Sequence, residues 1–333
     1  MCPVTPSLPT KVAPNLPTHV ASNLPNHVVL GCGDIGRRIV KQLQLEGVAN
    51  ERIIAYVNSE SSFDRATELG IAARYFELDP QGAALSAADD LAVNTAVNSL
   101  AQLNSIADIA DSHAYYTVAP QKTGEEDKRS RALIRLLEHA KSVPSKMVLI
   151  STTGVYGDAQ GSWIDETHAA NPSTDRAKRR YDSEAQWQAF MSSHKRVLTV
   201  LRVPGIYARS RLPQERIKKA IPVVRSEEVG FTNRIHADDL AAICVCANQR
   251  LQASTILNAT DGRPGTITQY LQAVADYLGE PKLPEITLDQ AHSELSEGML
   301  SYLSESRKIS NAKLLDLLDY TFLYPDFRIG MKY

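Results

Sequence analysis

His27-Val28-Val29-Leu30-Gly31-Cys32-Gly33-Asp34-Ile35-Gly36-Arg37-Arg38-Ile39-Val40 decides how the rest of this chain is read. A short apolar run breaks into G-x-G-x-x-G and continues as a helix pattern with apolar residues at Ile35, Ile39 and Leu43. Each glycine meets a physical need at such a strand-to-helix turn. Gly31 permits the tight turn, Gly33 lets a pyrophosphate approach the backbone, and Gly36 lets helix and strand pack closely. The N–H groups of the first helical turn and the positive end of the helix dipole then face the phosphates. The stretch predicts a dinucleotide cradle formed by Gly31, Gly33, Asp34, Ile35 and Gly36, against the alternative of a tight structural turn.

The 333 residues suit one large domain or two modest ones. Apolar residues make up 43% and charged residues 22%, as in an ordinary globular protein. A net charge of −2 with no basic run argues against nucleic acid as a partner. Cys2, Cys32, Cys244 and Cys246 form no C-x-x-C pair, so neither a disulfide framework nor a metal site is expected. No apolar run approaches the roughly 18 residues that would cross a membrane. These features predict a reduced, cytoplasmic protein. Residues 1–26 differ from the rest, with Leu8-Pro9-Thr10, Leu16-Pro17-Thr18 and Leu24-Pro25-Asn26 recurring at intervals of eight. Such a short proline-bearing period predicts a disordered tail, or alternatively a docking tail, and lacks the pattern of a signal peptide.

From His27 onward strands and helices alternate, which favours an α/β fold with a doubly wound, Rossmann-like parallel sheet. Strands are predicted to end at Leu30 and to span 52–57, 73–78, 114–118, 146–150 and 196–202, with a further one at 255–258. Residues 27–203 read as the dinucleotide-binding domain. Residues 204–333 read as a smaller substrate-binding cap whose segments return to the first domain.

The second strong signal is Ser151-Thr152-Thr153-Gly154-Val155-Tyr156-Gly157, directly after a strand. Hydroxyls at such a strand end can bond a substrate oxygen. With Leu201-Arg202-Val203-Pro204-Gly205-Ile206-Tyr207 and Arg234-Ile235-His236-Ala237-Asp238-Asp239-Leu240, four motifs stand in order. On them the chain resembles the extended short-chain dehydrogenase/reductase family, the NAD-dependent epimerase/dehydratase group, across about residues 27–330. The resemblance implies that Thr152 polarises the substrate, with Thr153 beside it. It also implies a Tyr-x-x-x-Lys pair on the next helix, in which the cation lowers the tyrosine's pKa. Here the tyrosine at a suitable distance is Tyr181, and the lysine position holds Ala185. Either Tyr181 is the acid/base, with Lys178 or an arginine supplying positive charge, or it is a packed or surface helix residue. Together with Leu30 in place of an expected glycine, this departure marks an atypical subgroup.

The resemblance implies NADP or NAD as cofactor. Asn58, Ser59 and Arg65 at the end of the second strand tilt the choice toward NADP, because a 2′-phosphate favours hydroxyls and cations over a carboxylate. Asp79 matches a position near the adenine, and Thr117, Ala119 and Pro120 are expected along the cofactor. Arg202, Arg209, Arg211 and His236 are candidates for an anionic substrate such as a nucleotide sugar. A homodimer is a further expectation from the family. The leading functional reading is an NAD(P)-dependent oxidoreductase of epimerase/dehydratase type. Its alternative is a non-catalytic dinucleotide-binding regulator or scaffold.

Overall fold

A computed structural model describes residues 24–79 and 106–333. Residues 1–23, most of the proline-rich segment, lie outside the described residues. Seven strands form the central sheet: β1 (His27–Leu30), β2 (Ile53–Val57), β3 (Ala72–Tyr75), β4 (His113–Tyr116), β5 (Lys146–Thr152), β6 (Val197–Val203) and β7 (Thr255–Asn258). Their order is β7-β6-β5-β4-β1-β2-β3, with every neighbouring pair parallel. The order reverses between β1 and β4, where Val28 pairs with Ile54 on one side and Ala114 on the other. That switch point opens a crevice beyond the strand C-termini, where ligands of doubly wound sheets bind.

Strand residues alternate between two apolar layers, because successive side chains point to opposite faces. Val28 and Leu30 join a layer with Leu133, Leu137, Trp187 and Phe190. Val29 joins the other, with Ile39, Leu43, Leu240 and Ile243. The first layer is covered by α3 (Lys128–Ala140) and α4 (Asp175–Ser193), the second by α1 (Asp34–Leu45) and α5 (Ala237–Arg250). The short α2 (Glu60–Thr67) follows β2. Two caps fix helix starts beside the crevice. Asp127 accepts from the Arg129 and Ser130 N–H groups at 3.1 Å each to begin α3, and Thr174 accepts from Ala177 at 3.2 Å to begin α4.

The predicted third and fourth strands end earlier than the apolar pattern suggested. β3 stops at Tyr75 and β4 at Tyr116, so residues 76–79 and 117–119 leave the sheet and line the crevice instead. After β6 the chain forms α5 and β7, which complete the central sheet, and a separate apolar cluster around α6 (Ile267–Leu278). That cluster joins Tyr270, Leu271 and Val274 to Tyr207, Ile217 and Phe327. The short strand Arg234–His236 lies parallel to Gly205–Tyr207 and ties this part to the end of β6.

Candidate functional site

The crevice begins at the β1–α1 turn. Gly31 has φ +89°, and a Cβ there would stand 2.9 Å from Val118 Cγ2. A Cβ at Gly36 would stand 2.7 Å from the Gly31 carbonyl oxygen, so that glycine permits the close packing of helix on strand. At Gly33 a Cβ would meet no protein atom within 4 Å, and no side chain caps the start of α1. The open space beside Gly33 and the uncapped first-turn N–H groups fit a pyrophosphate.

A cavity of about 230 Å³ continues from this turn past Asn58, Ser62, Asp79, Thr117 and Ala119. Thr117 Oγ1 donates to the Leu30 and Gly31 carbonyls and locks β4 to the glycine turn. Asp79 does not stand alone. Arg129 Nε donates to both of its carboxylate oxygens at 2.9 Å, while Arg129 Nη1 reaches the Ala119 carbonyl at 2.7 Å. Arg129 thus ties the two edges of the cavity together. No motif pointed to it, because its partners lie on two segments away from it in sequence. Ser59 and Arg65 stand just behind the lining, with Ser62 Oγ 2.9 Å from Ser59 Oγ and 3.1 Å from Arg65 Nη2. Pro120 is not among the lining residues. Burial pushes the Cys32 thiol up to about 11, so this loop cysteine is no nucleophile at neutral pH.

A second cavity, of about 320 Å³, lies beyond the C-terminal end of β5 and is lined by Thr152, Thr153, Arg176, Arg180, Asn233 and Arg307, among others. Thr152 Oγ1 accepts from the Gly154 N–H at 3.2 Å, which leaves its own proton to donate. Arg180 Nη1 donates to the Val118 carbonyl at 3.1 Å and the Ile150 carbonyl at 3.0 Å. Val118 lines the first cavity and Ile150 the second, so Arg180 stands where the two adjoin.

Of the two readings left open for α4, the structure favours the second: Tyr181 is 42% exposed, Lys178 pairs with Glu125 at 2.6 Å, and neither lines either cavity. At roughly 100° per residue, Lys178, Tyr181 and Ala185 lie about 100–160° around the helix from Arg180. The face turned to the sheet carries Ala177, Arg180, Glu184 and Trp187, and Arg176 borders it.

Four expected ligand-binding side chains also have structural partners. Arg202 pairs with Glu184 at 2.8 Å with both side chains almost fully buried, and it lies 4.6 Å over the Tyr156 ring. His236 Nδ1 accepts from the Asp238 N–H at 3.2 Å and so caps α5; burial pushes its pKa down to about 4 and keeps the ring neutral. Asp34 bonds Arg211 at 2.7 Å and Arg38 at 3.2 Å. Burial works against the Asp34 carboxylate, but the two arginines outweigh it and hold the pKa below the usual range. Asp34 and Arg211 therefore engage each other outside both cavities, and exposed Arg209 lines neither. Ile35 packs into the core. Among the described residues, no group of three His, Cys, Asp or Glu could hold a metal ion, and no helix is long and apolar enough to cross a membrane.

A Rossmann-like sheet with a pyrophosphate cradle at its switch point defines a dinucleotide-binding protein. The profile of the NAD dependent epimerase/dehydratase family matches residues 28–259, and the chain belongs to that family. NAD(P) binding follows from that membership and from the cradle. Three solved structures illustrate the likeness of fold. A functionally unknown conserved protein from Silicibacter pomeroyi is 24% identical, covering 93% of this chain and 97% of its own, with a TM-score of 0.74. UDP-glucose 4-epimerase from Thermotoga maritima, solved with UDP-glucose, is 16% identical over 92% and 96%, with a TM-score of 0.69. UDP-glucose-4-epimerase from Stenotrophomonas maltophila, with bound NAD and formylated UDP-arabinopyranose, is 17% identical over 93% and 96%, with a TM-score of 0.67. A search of curated proteins finds no match to this sequence.

Proposed function

We propose that the protein is an NAD(P)-dependent oxidoreductase of epimerase/dehydratase type acting on a hydroxyl- or carbonyl-bearing substrate. One observation carries the reading: the dinucleotide cleft adjoins a polar cavity at Arg180, and that cavity is lined by the Thr152 hydroxyl. A bound dinucleotide supplies the hydride donor or acceptor. Thr152, with one lone pair engaged by Gly154, presents its proton to the substrate oxygen and fixes that oxygen's position. A nucleotide sugar is the favoured substrate class, since the Thermotoga maritima epimerase was solved with UDP-glucose. NADP is preferred over NAD. Asn58 rather than a carboxylate lines the cleft at the end of β2, and Ser62 carries Arg65 beside it. The reading includes a cytoplasmic homodimer with a dinucleotide domain over 27–203 and a cap over 204–333 whose segments return to the first domain.

The test is a titration with NADPH and NADH followed by hydride-transfer assays across a panel of sugar nucleotides. Binding with turnover that Thr152→Val reduces supports the proposal. A second reading, dinucleotide binding without turnover, is favoured by the outward placement of Tyr181. Tight binding with no hydride transfer on any panel member would establish it instead. Arg65→Ala should weaken NADPH binding and leave NADH binding unchanged; equal loss for both would remove the case for NADP.

A further inference from the structure

The second cavity carries a charge imbalance that its protein partners do not resolve. Its lining holds three arginines, Arg176, Arg180 and Arg307, against one carboxylate, Glu305. Arg307 and Glu305 neutralise each other at 2.7 Å, and Glu305 also accepts from Ser173 Oγ at 2.6 Å. Two positive charges remain, both on the face of α4 that borders Thr152. Arg180 spends Nη1 on the carbonyls of Val118 and Ile150, and its Nη2 and Nε have no partner among the described residues. It forms no ion pair among them either. Burial depresses its pKa, with Tyr116 and Asp127 pulling the other way, although a guanidinium stays charged at any physiological pH. The side chain is half-buried, and its remaining donors are not buried, so an anionic group in the cavity can accept from them.

We propose that the Arg176–Arg180 edge of this cavity binds a compact anionic group, a carboxylate or phosphoryl group, carried by the substrate next to the carbon that exchanges hydride. This rests on the oxidoreductase reading and adds the substrate's charge to it. Arg180 presents Nη2 and Nε as a fork, the geometry that matches two oxygens of one anionic group. Its position between the cavities places that group beside the nicotinamide end of the cleft rather than at a distant diphosphate. Arg176, at the exposed rim, adds a second cation that steers the anion inward.

The experiment uses the full chain saturated with NADPH and measures affinities calorimetrically for two matched ligand pairs. UDP-glucuronate against UDP-glucose isolates a carboxylate with the nucleotide held constant, and glucose 6-phosphate against glucose isolates a phosphoryl group. The anionic member of at least one pair should bind about tenfold tighter or more, and which pair responds distinguishes the two groups. Arg180→Gln should abolish the preference, read as the ratio of affinities within each pair at saturating NADPH. Arg176→Gln leaves the two strand-end bonds of Arg180 intact, so it should fold normally and weaken the preference by a few-fold. Arg180→Lys should retain part of it, as a cation without the fork. Equal binding within both pairs, or no binding of any member, overturns the proposal. So does an Arg180→Gln protein that loses NADPH affinity but keeps the charge preference. Failure of both NADPH and NADH to bind the native chain overturns the oxidoreductase reading instead.

Discussion

Asp261→Asn should make the protein more stable, by an amount that grows as pH rises from about 4 to about 7. Asp261 follows β7 and is 7% exposed. One carboxylate oxygen accepts from the Arg263 N–H at 2.9 Å, and the other has no partner among the described residues. Burial raises the pKa to about 7, against the opposing pull of the Arg263 N–H and the Arg234 charge. In the unfolded chain the same group titrates near 3.9. Between those values the folded state keeps a proton that the unfolded state has released. Stability therefore falls as pH rises through that window, and the loss is complete above about pH 7. A difference of about 3 pH units corresponds to about 4 kcal/mol at most. Asparagine keeps the shape and the acceptor for Arg263 but cannot ionise. Urea denaturation of both proteins should give a difference of about 1 kcal/mol or less at about pH 4.5 and a gain of about 2–4 kcal/mol for the variant at about pH 8. His27, His113 and His236, each pushed down to about 4 by burial, act in the opposite sense between about pH 4 and 6.5. They are present in both proteins and cancel from the comparison. A variant-minus-native difference that stays flat with pH, or falls as pH rises, would refute the assignment of a buried, proton-holding carboxyl.

The glycine turn separates folding from binding. Gly33→Ala should leave thermal stability within about 1 kcal/mol while weakening dinucleotide binding about tenfold or more, because its Cβ meets only the cleft. Gly31→Ala, at positive φ and against Val118, should cost about 1–3 kcal/mol of stability before any ligand is added; equal behaviour of the two variants would contradict the division. Arg202→Met leaves Glu184 as an uncompensated buried charge and should destabilise by about 3–5 kcal/mol in denaturant titrations. A loss confined to substrate affinity would return Arg202 to the ligand site. Tyr181→Phe should change neither stability nor NADPH affinity beyond about 0.5 kcal/mol, as expected of an exposed hydroxyl; a loss of turnover would restore Tyr181 as the acid/base.

The turn at Gly31 was legible in the sequence because the constraint there acts on the backbone itself. Steric exclusion at Gly31 and Gly36 leaves one residue type that satisfies each position, and glycine at 33 keeps its space open to the cleft. Side-chain roles were less legible, since they depend on partners that only the fold brings near. Arg202 looked like an anion ligand until Glu184, on a different element, met it inside the protein. His236 sits in a motif for the same reason that serine or aspartate often would: it begins a helix. Asp79 was recognised without Arg129, whose place beside it is set by the packing of α3.

Helix α4 is the instructive case. Its first half, Asp175-Arg176-Ala177-Lys178-Arg179-Arg180-Tyr181-Asp182, is polar on every side, so hydrophobic periodicity gives no phase there. The tyrosine alone then set the phase, and an error of one residue rotates the predicted face by about 100°. A better anchor lay downstream. Trp187, Phe190 and Met191 are buried, and counting back from Trp187 by three or four reaches Glu184, Arg180 and Ala177. That phase carries the i, i+4 pair expected opposite Thr152 onto Arg176 and Arg180. The resemblance implied a phenol and an ammonium at positions 181 and 185; the helix face on the cavity presents two guanidinium groups, at 176 and 180. The lining there carries positive charge and includes no tyrosine among the described residues. Under the proposed anion site, such a lining would sort substrates by charge before acting on their hydroxyls.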